Sequence, residues 1–468
     1  MKKVNAILFC LLIVVVMAAT TSSCKKESFI TSTDANLRLS EDTLHFDTVF
    51  TTLGSTTQYL KIFNENDQKL RITSLQLMGG TASFFKLNVD GIAGTSFNNL
   101  ELEANDSMYL FATVRIDPTI TNLPFLVRDS IKIEFNGNTK WLQLEAYGKN
   151  ARFMRDVRVT QDSSLTSDLP IVILGSLIIN ENKTLTIPKC TQIFVHAAAP
   201  IIVDGTLKAI GDTGCRITFQ GLRIDESYKN FPGSWPGIYF RTTSKSNVLE
   251  QCVIKNAYQG AIVQDNSATT KLTLRECIFD NIYDIAVGGT NTNITAQNCL
   301  FSNVGYGLYT VSGGNYNFNH CTFTSLSNYY LAHKNPLINL SNTNEENTAF
   351  NTLNATFNNS IIYGEGGFVD DEVVITKLKQ GTGFTANFYN VLYKQKNANA
   401  SLIFTNSLLN QNPVFDSINY DKRIFDFHLK NNSPCIDKAN TMQILNYDLD
   451  RKPRPVGIAA DFGCYERQ

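Results

Sequence analysis

Between residues 247 and 325 the sequence repeats one phrase four times: Leu249-Glu-Gln-Cys252-Val-Ile-Lys-Asn256, Leu274-Arg-Glu-Cys277-Ile-Phe-Asp-Asn281, Ala296-Gln-Asn-Cys299-Leu-Phe-Ser-Asn303 and Phe318-Asn-His-Cys321-Thr-Phe-Thr-Ser325. The cysteines fall 25, 22 and 22 residues apart. A unit of that length cannot bury its own apolar face, so recurrence at a period of about 20–30 residues argues for stacked coils that share one core. Within a copy the apolar residues alternate, as in Leu272-Thr-Leu274 and Cys277-Ile-Phe279, which is the period of strands. The polar pairs Glu250-Gln251, Arg275-Glu276, Gln297-Asn298 and Asn319-His320 then mark one recurring corner. Asn256, Asn281 and Asn303 mark a second, where stacked side-chain amides bond to backbone or to the neighbouring coil. Cys252, Cys277, Cys299 and Cys321 read as a reduced internal ladder, each thiol packing as a small apolar group.

The repeat and its last copy, Ser312 to Phe323, resemble the right-handed parallel β-helix lipoproteins of Gram-negative bacteria, relatives in fold of pectate lyases. The resemblance implies the solenoid, and a fold of this kind does not by itself imply an activity.

Outward from the repeat, the chain divides readily. Residues 1–23 read as a signal peptide: Lys2-Lys3, an apolar run from Ala6 to Ala19, then Thr20-Thr-Ser-Ser23. Cys24 directly after small residues resembles the bacterial lipobox, with Thr21 where that motif usually has an aliphatic residue. The resemblance implies acyl chains on Cys24, enough for stable membrane anchoring, and an outer-membrane, surface-exposed location. Residues 24–36 form a polar tether. Residues 37–148 contain six clearly alternating runs bounded by Gly, Asn or Asp, among them Leu70–Leu77 and Ser107–Ile116, which points to an antiparallel immunoglobulin-like sandwich. Asn136-Gly-Asn138 is a hairpin-turn signal. The expected fold is therefore all-β, an N-terminal immunoglobulin-like sandwich followed by a right-handed parallel β-helix over 149–410, with 149–170 as a connector. Residues 411–468, with Ser433-Pro-Cys435 and Asp461-Phe-Gly-Cys464, resemble the terminal segment that closes bacterial β-helix surface proteins and read as a cap over the open end.

Exported chains meet an oxidising compartment, so Cys190 with Cys215 and Cys435 with Cys464 are candidate disulfides. After Phe323 the period lengthens, and Ser360 and Asn390 read as the next residues in the cysteine column.

The 41 basic and 42 acidic residues nearly cancel, and no basic run tracks phosphates, so no nucleic-acid partner is expected. One interruption of the repeat, from Arg223 to Tyr239, mixes Arg223, Asp225, Tyr228, Trp235 and Tyr239, residues suited to stacking on sugar rings while bonding hydroxyls. The competing reading is that Trp235 merely covers the flank of a coil. A lyase on this fold needs carboxylates holding Ca²⁺ and a basic residue, and a hydrolase needs paired acids, but neither forms a recognisable cluster along the sequence. No catalytic residues, metal site or cofactor are assigned, and Ca²⁺ enters only if the chain is a lyase. The reading is a membrane-anchored envelope lipoprotein whose β-helix binds glycan or adheres through it. Its alternatives are a carbohydrate-active enzyme, lyase or hydrolase, and a structural envelope scaffold.

Overall fold

A computed structural model describes residues 28–117, 125–265, 269–379, 383–422, 424–441 and 444–468. The signal peptide and Cys24 lie outside the described residues. The chain divides into two compact units, Met1–Asn150 and Ala151–Gln468.

The first unit is built from two five-stranded sheets. One has the order Leu37–Leu39, Gln58–Asn64, Ser107–Val114, Phe85–Val89, Ile92–Gly94, and the other Thr43–Phe50, Asn138–Lys149, Phe125–Phe135, Leu70–Leu77, Ser96–Leu102. Alternation decides which side chains turn inward: Leu70, Ile72, Leu75 and Leu77 are all fully buried, and they meet Leu60, Ile62, Leu110, Ile131 and Leu144 in one core. Asn136 and Gly137 turn the Phe125–Phe135/Asn138–Lys149 hairpin with φ of 45° and 79°. That left-handed pair is the turn that matches strand twist.

The second unit is a parallel β-helix. From Arg152–Met154 to Cys252–Lys255 each strand pairs in parallel with the strand three places on, so Leu177–Ile179, Ile201–Val203, Ile238–Phe240 and Ala261–Gln264 stack as one face. The right-handed sense is the one that strand twist favours for parallel crossovers. The stretch 149–170 is not a connector. Arg152–Met154, Val157–Val159 and Ser163–Ser164 already pair with Ile171–Ile173, Leu177–Ile179 and Thr184–Ile187 as the first coil. Its strands are short and partly polar because only one neighbour covers them.

Both corners of the repeat are left-handed turns. Gln251, Glu276, Asn298, His320, Asn359, Asn390 and Asn406 have φ between 49° and 55°, and Asn256, Asn281 and Asn303 have φ of 61°, 57° and 52°. Asparagine tolerates this region better than most residues, which accounts for its recurrence there. At the second corner Asn281 Nδ2 donates to Asn256 Oδ1 at 2.8 Å, and Asn303 Nδ2 reaches Asp280 Oδ1 at 3.2 Å, so each coil is tied to the one before it.

Inside, side chains stack by type. Phe318, Phe357, Phe388 and Phe404 follow one another at 5.2, 4.7 and 4.6 Å between ring centroids, and Phe279, Phe301 and Phe323 at 5.3 and 4.5 Å. Cys252, Cys277, Cys299 and Cys321 are free and fully buried. Cys277 Sγ donates to Leu249 O at 3.2 Å, and burial pushes the Cys252 and Cys299 thiols well up. Ser360 continues this column, its Oγ accepting from Cys321 N at 3.1 Å. Asn390 does not. Asn359 N bonds Tyr389 O, which sets Asn390 at the corner beside Asn359 and leaves Val391 in the column.

Cys190 and Cys215 form a disulfide across 25 residues. Cys435 and Cys464 do not pair: both are free and buried. Cys464 N is held by Thr322 Oγ1 at 3.0 Å against the stack, whereas Cys435 N is held by Ser433 Oγ at 3.2 Å inside the terminal segment, so different partners fix the two thiols. Burial raises both, Cys435 to about 12.

The terminal segment lies along the flank of the solenoid. Leu300, Leu326, Ile361 and Leu392 point outward from successive coils and are covered by Phe415, Phe427, Leu429, Leu449 and Phe462. Backbone and side-chain bonds from Arg216 to Leu449 O, Asn298 to Tyr447 O and Asn390 to Lys438 O pin it along the first corner. Arg454, fully buried, reaches Glu466, Asn298 and Gly463 O at 3.1, 2.9 and 3.2 Å, which makes it a structural lock.

Candidate functional site

The corner asparagines set the geometry of the outer surface just beyond them. Because Asn256 and Asn281 turn the chain at equivalent points, the residues two places on, Tyr258 and Tyr283, emerge side by side on adjacent coils. Their rings are stacked at 5.5 Å and are 46% and 51% exposed. Next to them runs an outward column, Tyr239, Ile262, Gly288 and Tyr309, in strict parallel register. A Cβ on Gly288 would stand 2.7 Å from Ile262 Cδ1, so glycine is what lets the Ile262 side chain lie across the column at this point. Tyr306 closes the group with its ring 5.0 Å from Tyr309, edge to face.

Asp284 lies amid these rings, its Oδ2 accepting from Gln259 Nε2 at 2.8 Å. Burial raises the phenols of Tyr239, Tyr306 and Tyr309. Neighbouring tyrosines act in the same direction on Tyr239 and Tyr306, Glu345 on Tyr309, and Asp284 on all three. The phenols therefore stay protonated; Tyr239 donates its proton to Pro236 O at 3.1 Å and keeps its oxygen as an acceptor. The result is a face of partly exposed rings, Tyr258 and Tyr283 the most open, each with a hydroxyl at its edge, gathered around one carboxylate. Such a face can pack on the apolar side of a sugar ring and bond its hydroxyls.

The interruption at 222–237 lies beside this face and only partly joins it. Tyr239 belongs to the tyrosine column. Trp235 does not act as a platform: it is fully buried, bridged in parallel to Ala257, and its Nε1 donates to Lys255 O at 2.9 Å. Bridging to the coil carries the indole into the solenoid core, where no ligand reaches it. Arg223, Asp225 and Tyr228 form a group of their own. The Arg223 guanidinium grips both Asp225 oxygens at 2.6 and 2.9 Å and lies 3.8 Å over the Tyr228 ring. A Cβ on Gly233 would stand 3.5 Å from Tyr283 Cβ and 3.8 Å from Tyr258 Cδ2, so the loop lies close against the tyrosine face.

Among the acidic candidates of the sequence, Asp371 accepts from the backbone of Lys396 and Asn397, and Glu372 is fully buried against His333 Nε2 at 2.8 Å. His320 is buried against Asn359 at 3.1 Å, and burial lowers it well below the usual histidine range. Among the described residues no group of three or more His, Cys, Asp or Glu could hold a metal ion. Sequence reading missed Tyr258, Tyr283, Tyr306, Tyr309 and Asp284. The available signal was the matching position of Tyr258 and Tyr283, each two residues after a ladder asparagine.

No protein-family model matches the chain, and no curated protein matches it in sequence. Solved structures to which it is similar include a family 123 glycoside hydrolase from Clostridium perfringens, at 9% identity over 24% of this chain and 26% of that one, TM-score 0.18. They include the family 28 exopolygalacturonase of Yersinia enterocolitica, at 8% identity over 81% and 97%, TM-score 0.23. They also include the catalytic unit of a thermostable GH87 alpha-1,3-glucanase from Streptomyces thermodiastaticus, at 10% identity over 75% and 88%, TM-score 0.22. The chain thus spans about a quarter, 26%, of the first of these.

Proposed function

We propose that this chain is an envelope lipoprotein, anchored through Cys24, whose β-helix binds an extended glycan along its tyrosine face. The observation that supports the reading is the gathering of Tyr239, Tyr258, Tyr283, Tyr306 and Tyr309 around Asp284 on consecutive coils. Coil-to-coil spacing of about 4.8 Å lets one polymer meet several rungs. The test is a polysaccharide array probed with the full chain in detergent, with any ligand then assayed for new reducing ends and for the ultraviolet absorbance of unsaturated uronates. Binding without product is expected. New reducing ends would instead make the chain a glycoside hydrolase. Silence across the array would overturn polymer binding along the tyrosine face and favour a structural scaffold.

A further inference from the structure

On the other side of the 222–237 loop lies a cavity of about 150 Å³. Its floor is the second corner of the solenoid, Lys255, Asp280 and Asn303, and its walls include Tyr329, Tyr330 and Phe425. These walls come from two separate excursions of the chain. The loop at 327–331 brings Tyr329 and Tyr330, braced by Phe231 with its ring 5.3 Å from Tyr330, and the terminal hairpin brings Phe425.

The corner residues would not all be needed to hold the corner. Asp280 accepts Ser302 Oγ at 2.7 Å and Asn303 Nδ2 at 3.2 Å through the same oxygen, Oδ1. Asn303 is 3% exposed, yet its Oδ1 has no hydrogen-bond partner among the described residues. A buried amide oxygen left unmatched is costly unless something fills it. Lys255 and Asp280 influence each other electrostatically without forming an ion pair; burial lowers the lysine and raises the aspartate. The cavity therefore offers a donor, two acceptor groups and aromatic walls.

We propose that this cavity is a second carbohydrate site, which takes a single neutral six-membered sugar ring, as at a chain end or branch, with Lys255 donating to a hydroxyl and Asp280 and Asn303 accepting from others. The proposal rests on the reading that the chain binds glycans. A cavity of comparable volume, about 150 Å³, holds benzene, so one ring fits and its substituents reach the mouth. The paired donor and acceptors match adjacent hydroxyls, each of which both donates and accepts. Tyr330 and Phe425 meet the ring's apolar side.

The test is saturation-transfer NMR of the full chain in detergent with glucose, galactose, mannose, xylose, fucose and rhamnose, each alone. At least one sugar should receive saturation, and the transfer should be abolished by Asp280→Asn and by Lys255→Met while it survives Tyr283→Ala. Circular dichroism melts of both variants would confirm that they remain folded. Absence of transfer from all six sugars would overturn the proposal, as would transfer that survives both variants. Polymer binding on the array without monosaccharide transfer would sink this site alone; monosaccharide transfer with a silent array would sink the tyrosine-face reading instead.

Discussion

Cys277 shows how little freedom a residue inside the stack has. Its thiol sits between the Leu249 and Arg275 carbonyls, fully buried, with Cys252 and Cys299 on neighbouring coils. Cys277→Asp would place a charge where only a weak donor fits, so a loss of about 4 kcal/mol or more is expected in urea unfolding, the range reserved for buried unpaired charge. Near-wild-type stability would mean the inward register is wrong. His428 offers a pH handle. It bonds Asp450 and Asp426 through its two ring nitrogens at 3.1 and 2.6 Å and stacks on Tyr465, and those acids hold it up to about 9. Because the folded value lies above the ordinary 6.5, its stabilisation is complete below 6.5 and is lost as pH rises through about 9. The melting-temperature difference between the native chain and His428→Gln should therefore be widest on the acid side and vanish above that window. A difference independent of pH would rule out the protonated bridge. Some of this was legible from single residues: asparagine at a fixed offset from cysteine announces a left-handed corner. The His428 bridge was not, because Asp426 and Asp450 meet only when the terminal segment folds back.

At the scale of the element, the coil is held by corners and ladders whose costs differ. Asn281 combines a φ of 57° with bonds to Asn256 Oδ1 and Asn230 O. Asn281→Gly keeps the backbone and loses only the bonds, whereas Asn281→Val adds about 1–2 kcal/mol for a β-branched residue in the left-handed region. Thermal melts should thus rank the native residue above glycine and glycine above valine; valine equal to glycine would remove the corner argument. Phe357 stacks between Phe318 and Phe388 at 5.2 and 4.7 Å, and Phe357→Ala should cost about 3–5 kcal/mol in urea unfolding. Periodicity exposes such elements because each copy repeats the same inward pattern. It is silent about residues that break the period: the 327–331 loop that carries Tyr329 and Tyr330 repeats nothing of the sequence of the 366–372 loop, which takes the same place on the next coil, and Trp235, read as part of an aromatic loop, is drawn into the core by a bridge to Ala257. The terminal segment shows the same limit. Its need to cover apolar surface was readable, but that surface is the outward column Leu300, Ile361 and Leu392 on the flank, with Leu326 beside it.

At the scale of the whole molecule, the proposed lipid on Cys24 would tether a glycan-binding solenoid to the envelope. Cys24→Ala should release the mature chain from the membrane fraction into the soluble one, and full membrane retention would end the lipoprotein reading. The central claim, that stacked tyrosines on consecutive coils bind a polymer, is tested most directly by one comparison. The affinity of the native chain for the polysaccharide picked out by the array would be measured beside that of the Tyr258→Ala, Tyr283→Ala double variant. Both rings are about half exposed, so the variant should keep its melting temperature while losing about tenfold or more in affinity, roughly 1.4 kcal/mol. Equal affinity in the two chains would contradict the account.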